Sequence, residues 1–270
     1  MLNTVNFNFH KINKWLDIGN TTELNKTREH FGSSIKVLDK DNESIYFFND
    51  FIIKFFSNKE INKNRVKRAL MLNGLVPKII NSTLNFYKYK KAEGNLFAKS
   101  VNENTFNSFL GWTENNLWKF KPTNNFNKKC FDFYVIKTNE RINQYLDGKP
   151  DTSETINGKL IPPIEKLLSQ IDTEWLCDGI PTQFHGDFIL DNVIETKNGF
   201  CLIDWRQDFA GDLKVGDMYY DLAKLNHNLV VNHDIVDKKL FNSSPKNCYI
   251  LCNSTLINCK NLLHKFINEN

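Results

Sequence analysis

From residue 34 the chain breaks into short apolar runs separated by polar turns. Residues 35–38 and 44–48 flank the polar connector Asp39-Lys-Asp-Asn-Glu43, and a third run over residues 50–56 follows Asn49-Asp50. Runs of this length, rich in aromatic and β-branched residues, predict strands, and three in close succession predict an antiparallel meander. Residues 60–72 then bring Val66, Ala69, Leu70 and Leu72 toward one side, which predicts a basic helix ended by Asn73-Gly74. Two more strands are expected at 78–80 and 84–90. Beyond Gly94 the spacing of apolar residues changes to three and four, which predicts helices over 106–118, 131–146, 161–171, 219–229 and 249–267. One β interruption stands among them: apolar runs at 191–196 and 200–204 joined by Lys197-Asn-Gly199, where Asn-Gly is a strong hairpin signal. Residues 1–30 are polar with scattered aromatics, and a short helix or two is expected around residues 9–16. The pattern is α+β: an N-terminal extension over 1–33, a small antiparallel-sheet N-lobe over 34–91, and a larger, mainly helical C-lobe over 92–270.

Composition narrows the function. The chain has 270 residues, 41% hydrophobic and 24% charged, which supplies a core and excludes the disordered class. Its net charge of +4 comes with no basic block or RNA-binding signature, so nucleic acid is not an expected partner. No stretch reaches membrane-spanning length and residues 1–15 lack the apolar segment of a signal peptide, so a cytoplasmic protein is expected. The six cysteines form no C-x-x-C pair and no zinc pattern with histidine, and read as reduced, mostly buried thiols. His227 and His233 read as surface residues. Phe106, Phe109, Trp112 and Trp118 read as helix core.

The hairpin and the loop before it carry the chemistry. The stretch Phe184-His-Gly-Asp-Phe-Ile-Leu-Asp-Asn192 enters the hairpin and Asp204-Trp205 leaves it. A hairpin brings its outer ends together, so Asn192 and Asp204 meet at its mouth with Asp187 on the preceding loop. Two carboxylates and an amide oxygen make a hard oxygen-ligand site, suited to magnesium held against phosphates.

His185-Gly-Asp187, with Asn192 five residues beyond the aspartate, resembles the catalytic loop of the aminoglycoside phosphotransferase and choline kinase superfamily. Ile203-Asp204-Trp205 resembles its metal-binding segment. The resemblance implies a protein-kinase-like two-lobe fold and an ATP-dependent enzyme. It assigns Asp187 as the base for the acceptor hydroxyl and Asn192 and Asp204 as ligands of Mg2+, with His185 shaping the loop. Lys54, central in the third apolar run, is the expected phosphate-gripping lysine. Tyr87-Lys-Tyr-Lys-Lys-Ala-Glu93-Gly94 is similar to the hinge whose backbone holds adenine, which puts Tyr89 and Lys91 beside the nucleotide. Gly216-Asp-Met-Tyr-Tyr-Asp-Leu-Ala223 resembles the family's G-D-x-x-x-D-L-A helix start, with Asp217 and Asp221 supporting the loop from behind. Three features depart from the pattern. No G-x-G-x-x-G loop joins the first strands, where only Phe31-Gly-Ser-Ser34 and a polar turn stand. The only carboxylate on the following helix is Glu60, earlier than the usual partner of the lysine, where Asn64-Arg65 stands instead. Arg206 directly follows Asp204-Trp205 and has no counterpart role.

The expected function is transfer of the γ-phosphate of ATP to a hydroxyl of a small-molecule acceptor. Protein substrates are disfavoured because no A-P-E segment follows Asp204. A sugar or amino alcohol is expected as acceptor, with a likeness to family members associated with surface-polysaccharide synthesis. Arg206 and Asp208 are the expected acceptor contacts, an anionic or hydroxylated acceptor engaging the first and a cationic one the second. The alternatives are an aminoglycoside-type resistance kinase and a nucleotide-binding pseudoenzyme or assembly module. The latter would be expected to lose Asp187, Asn192 or Asp204, and all three are present. The oligomeric state is not legible.

Overall fold

Period-two alternation over residues 36–90 becomes a five-stranded antiparallel sheet in the order β1-β2-β3-β5-β4. Its strands are β1 (Lys36–Lys40), β2 (Glu43–Phe47), β3 (Phe51–Phe56), β4 (Ile79–Ser82) and β5 (Phe86–Lys90). The computed structural model describes residues 36–152 and 154–269, with Trp15, Gly19, Asn20, Thr22, Glu23, Lys26 and Thr27. The helices expected around residues 9–16 and the Phe31-Gly-Ser-Ser34 stretch lie outside the described residues. Alternation decides which face each side chain takes. In β3, Ile52, Lys54 and Phe56 turn inward, and Tyr87 and Tyr89 of β5 stand opposite Lys54 and Ile52 on the same face. A lysine therefore sits in the middle of a buried aromatic surface.

Helix α1 (Lys59–Met71) begins at Asn58, whose side-chain oxygen accepts the N–H groups of Glu60 and Ile61. Such a cap satisfies donors that the first turn leaves without partners. Its buried residues are Asn62, Arg68 and Ala69, so polar groups occupy positions where an amphipathic helix usually places aliphatic ones. Asn62 turns to the sheet, donating to the carbonyls of Thr83 and Leu84, while Arg68 faces the other lobe.

The chain crosses between lobes at Gly94, where φ is +146° and an added Cβ would lie 2.1 Å from the Glu195 carbonyl oxygen. Only glycine fits that approach. Past it, β6 (Asn95–Leu96) pairs with one strand of the expected hairpin, β10 (Val193–Thr196), whose partner is β11 (Gly199–Leu202). Helix α2 (Glu103–Asn116) buries Phe106, Phe109 and Leu110, as its spacing predicts. The helix expected at 131–146 is longer and mixed: α3 (Phe126–Phe131), a π-helical turn Asp132–Ile136, and α4 (Lys137–Leu146).

Two expected helices are shorter than their spacing suggests. Residues 154–161 form a hairpin, β7 (Glu154–Ile156) and β8 (Lys159–Ile161), about Asn157-Gly158, both at positive φ. Two positive φ values are what a two-residue hairpin turn requires. Pro162-Pro163 then delays the helix to Ile164–Leu168. Likewise Tyr249 and Ile250 belong to a hairpin of β13 (Phe241–Ser244) and β14 (Asn247–Ile250), and the last helix begins at Ser254. The two hairpins touch: Asn157 and the backbone of Cys248 exchange hydrogen bonds at 2.8 Å.

Short strands β9 (Pro181–Thr182) and β12 (Gly216–Asp217) pair beside the candidate site, and α5 (Met218–Asn228) follows β12 directly. The terminal helix α6 (Ser254–Glu269) packs on α2. One hydrophobic core runs from Ile52, Phe56, Tyr87 and Tyr89 through Trp205 to Phe109, Leu225 and Leu263. A second, around Phe133, Phe184 and Phe209, underlies the segment after Asp204. The six cysteines are free thiols, with Cys130, Cys177 and Cys259 buried. Among the described residues no helix is long and apolar enough to cross a membrane.

Candidate active site

The mouth of the β10–β11 hairpin closes through the Ile203 N–H, which donates to the Asn192 carbonyl oxygen at 2.8 Å. Asn192 ends a 3-10 turn and is buried; its amide nitrogen donates to the Asp187 carbonyl at 2.9 Å and to Asp187 Oδ2 at 3.1 Å. With its nitrogen engaged, the amide presents its oxygen as the free ligand atom. Gly186 lets the loop pass under the strand exit. Its φ is +87°, and a Cβ there would meet the Arg206 Cβ at 2.6 Å.

The loop is held from behind, as the resemblance implied for Asp221. The fully buried Asp221 carboxylate accepts the His185 and Gly186 N–H groups, both at 2.7 Å, and the Trp118 indole N–H at 3.3 Å. Asp217 instead caps α5 through Tyr219 and accepts the Tyr134 hydroxyl at 2.7 Å. His185 is fully buried and bridges Ile203 O at 2.9 Å and the Asp187 N–H at 3.3 Å. That geometry shapes the loop and leaves no ring nitrogen free for proton transfer.

These two buried groups titrate in opposition. Burial pushes Asp221 up to about 6 from 3.8, against the three donors it accepts. A raised carboxyl contributes stability fully below its unfolded value and loses it as pH rises through 6. Burial lowers His185 to about 4 from 6.5, so its contribution is full above 6.5 and lost as pH falls through 4. The two offset one another between pH 4 and 6. Asp221→Asn removes only the first, so the variant's Tm is expected to climb with pH across this window more steeply than the wild type's. Melting curves at half-unit steps test this; parallel pH profiles would remove Asp221 from the balance.

Asp204 adopts φ +59°, a left-handed conformation that aspartate enters more readily than most side chains. Lys54 Nζ lies 2.6 Å and Arg65 Nη1 2.5 Å from the same Asp204 oxygen. Burial alone would raise this carboxyl; the Lys54 and Arg65 charges overcome it and hold Asp204 far below the usual range. Two cations share one carboxylate, so one positive charge is in excess. Burial and the Arg65 charge accordingly lower Lys54 despite Asp204. Trp205, fully buried, donates its indole N–H to Arg65 O at 2.8 Å and packs against Tyr87 and Tyr89.

Glu60 does not join this group. It lies on the exposed side of α1's first turn and pairs with Lys63 at 3.1 Å, because the helical period puts Arg65 and Arg68, not residue 60, over the site. Arg65 thus stands where a lysine's carboxylate partner was sought. Arg68 is buried and donates to the carbonyls of Phe184, His185, Arg206 and Leu213, stapling the loop to the segment after Asp204.

The hinge residues also move. The Tyr89 side chain is buried in the core and its backbone lies within the sheet, between Ile52 and Ile79. The Lys91 N–H is spent on Asp50 O at 2.9 Å. A cavity of about 700 Å³ opens between the β1–β2 turn and α1, lined by Lys40, Glu43, Phe56, Ile61, Arg65 and Gln207. It reaches Arg65 but none of residues 87–94.

On the other side, Lys224 of α5 pairs with Asp187 Oδ1 at 2.8 Å. Sequence reading missed it, although a signal existed: Lys224 is three residues after Asp221 and so shares its helix face. Arg206 donates from Nε to the Asp208 carbonyl at 3.0 Å, and Asp208 Oδ1 accepts the Gly211 N–H at 3.4 Å. Among the described residues no three His, Cys, Asp or Glu side chains gather into a metal cage. The oxygens at the hairpin mouth suit a cation that takes few protein ligands and completes its shell with phosphate and water, as magnesium does.

Residues 139–235 match the family model described as a phosphotransferase enzyme family. A search of curated proteins returns no match. Among solved structures, an aminoglycoside-3'-phosphotransferase of type VIII is 13% identical, with 92% of this chain and 91% of that chain covered at a TM-score of 0.50. An aminoglycoside phosphotransferase from Streptomyces rimosus is 14% identical over 77% of this chain and 82% of its own, at 0.46. A choline kinase from Cryptosporidium parvum is 14% identical over 74% and 64%, at 0.44. The chain has the protein-kinase-like fold of the aminoglycoside phosphotransferases, and Asp187, Asn192 and Asp204 lie within the segment that matches the phosphotransferase enzyme family model.

Proposed function

We propose that the protein is an ATP- and magnesium-dependent small-molecule kinase acting on a hydroxyl of a polar metabolite. The observation that carries this reading is the Asn192 amide bonded to Asp187 at the mouth of a hairpin whose exit, Asp204, is gripped by Lys54. Asn192 and Asp204 would hold magnesium, which supplies charge neutralisation to the phosphates; Lys54 and Arg65 would hold phosphate oxygens. The acceptor hydroxyl gives its proton to Asp187 as its oxygen bonds to the γ-phosphorus, and the bond to the β–γ bridging oxygen breaks with ADP as leaving group. Lys224 orients Asp187 through its ion pair at 2.8 Å. A sugar or amino-alcohol acceptor, with a place in surface-polysaccharide synthesis in the cytoplasm, is the finer reading carried from the sequence.

The test is nucleotide binding followed by transfer. ATP with magnesium is expected to stabilise the fold by about 2.7 kcal/mol at a hundredfold excess over Kd. ATP with a chelator is expected to shift Tm less. ADP release is then assayed over sugars, sugar acids, amino alcohols and aminoglycosides. No melting shift with ATP–magnesium at millimolar concentration would overturn the reading.

A further inference from the structure

Cations gather at the Phe133 ring, beside the loop that carries Asp187. Arg206 is pinned beside the loop: its N–H donates to His185 O at 3.0 Å, and its Cβ fills the space a Gly186 side chain would need. The Arg206 guanidinium lies 5.1 Å from the centre of the Phe133 ring, and the Lys137 ammonium lies 4.4 Å from the same centre. Arg141 follows Lys137 by one helical turn, and Lys224 already sits on Asp187. The acidic groups facing Lys137 are Asp208 and Glu140. Neither forms an ion pair with Lys137, Arg141 or Arg206 among the described residues; the Asp208 carboxylate accepts a backbone N–H of its own turn. Burial, then the Arg206 and Arg141 charges, push Lys137 down to about 8, so here the cations outweigh the acids.

We propose that Arg206 and Lys137 form the acceptor subsite and that the acceptor is a hydroxylated metabolite carrying an anionic group, a carboxylate or a phosphate monoester. The inference rests on the kinase reading above and names its substrate class. Two cations sharing one buried ring repel one another, and an anion bridging them removes that cost. The planar fork of Arg206 suits either oxyanion. A cationic amine, by contrast, would meet uncompensated positive charge on its way to Asp187. Lys54 and Arg65 come from the sheet lobe and hold Asp204, so this subsite is separate from the one that would take nucleotide phosphates.

The experiment needs no knowledge of the metabolite. Protein loaded with ADP–magnesium, which occupies the sheet-lobe cations, is treated at pH 8 with an amine-acylating reagent, and labelling of Lys137 is followed by mass spectrometry. A lysine near 8 is about half neutral at that pH, whereas an ordinary one is under about 1% neutral, so Lys137 is expected among the earliest sites. Inorganic phosphate or acetate is then added in separate arms, with choline as the cationic control. Raising Lys137 by one pH unit cuts its neutral fraction about fivefold, and a slowing of that order is expected from whichever anion fits. Protection by phosphate identifies a phosphomonoester site, and protection by acetate identifies a carboxylate site. Arg206→Gln is expected to abolish the protection while leaving the ADP–magnesium melting shift unchanged. No protection by either anion, protection by choline, or protection surviving Arg206→Gln would overturn the inference alone. Loss of the ADP–magnesium shift in the wild type would bring down the kinase reading and this inference together.

Discussion

Asp187→Asn is expected to lower kcat by about 10²–10⁴-fold, the usual contribution of a positioned base, while ATP–magnesium affinity stays within a few-fold of wild type. The separation follows from the contacts. Lys54, Asn192 and Asp204, the groups assigned to phosphate and metal, remain in place. The Asn192 amide also keeps its bond to the residue-187 carbonyl, which is backbone. What disappears is the charge that Lys224 pairs with at 2.8 Å. The neutral amide neither accepts the hydroxyl proton nor compensates that ammonium, so both orientation and proton transfer suffer. Single-turnover transfer and nucleotide-induced melting, measured on the same preparation, make the comparison. A variant with near wild-type kcat would take Asp187 out of the base role.

The sheet was legible because its strands alternate and its turns are polar. Ile52, Lys54 and Phe56 turn inward by period alone, and Lys197-Asn-Gly199 marks the hairpin unaided. The misread helices failed for a local reason. Residues 161 and 249 continue an apolar spacing that suits a helix, but Asn157-Gly158 and Pro162-Pro163 in one case, and the β13–β14 turn in the other, put them in strands. The Asn157-Gly158 signal is the same dipeptide that marked the catalytic hairpin; flanking runs of only three residues hid it.

Within the site, the residues on the hairpin were legible because chain connectivity alone brings them together. Of those supplied by other elements, Lys54 and Asp221 are named through the resemblance, but three cations are not placed there by it. Arg65, Arg68 and Lys224 reach the site across sequence separations of 139, 116 and 37 residues or so, through helix packing that no local pattern encodes. Glu60 was chosen because it was the only carboxylate on its helix, which presumes that Lys54 needs an acidic partner from α1. The structure meets that need with Asp204 and adds a second cation. Tyr89 and Lys91 lie on the expected hinge strand, but the sheet runs on far enough to consume their backbone donors.

Arg65 makes the outcome at Asp204 unusual. Asp204 is held by two cations at 2.5 and 2.6 Å, so a magnesium ion bound there would share the carboxylate with them. Asp204→Ala removes the proposed metal ligand and leaves a deeply buried lysine and a largely buried arginine side by side. Breaking buried pairs of this kind typically costs about 3–5 kcal/mol, reduced here because Asp204 is partly open to solvent, so a clear fall in Tm is expected. With Asp204 gone, Glu43 is the carboxylate still acting on Lys54 and Arg65, and nucleotide phosphates meet both cations without their paired counter-ion. ATP in the presence of a chelator is therefore expected to bind the variant at least as tightly as the wild type, while the gain from adding magnesium disappears and transfer is lost. Asp204→Asn, which keeps the size of the side chain, is expected to show the same loss of magnesium dependence and separates the metal effect from any folding defect. ATP titrations with and without magnesium, by calorimetry on all three proteins, read the pattern directly. Magnesium dependence that survives in both variants would move the metal site away from the hairpin mouth and leave Asp204 as the structural counter-ion of Lys54 and Arg65.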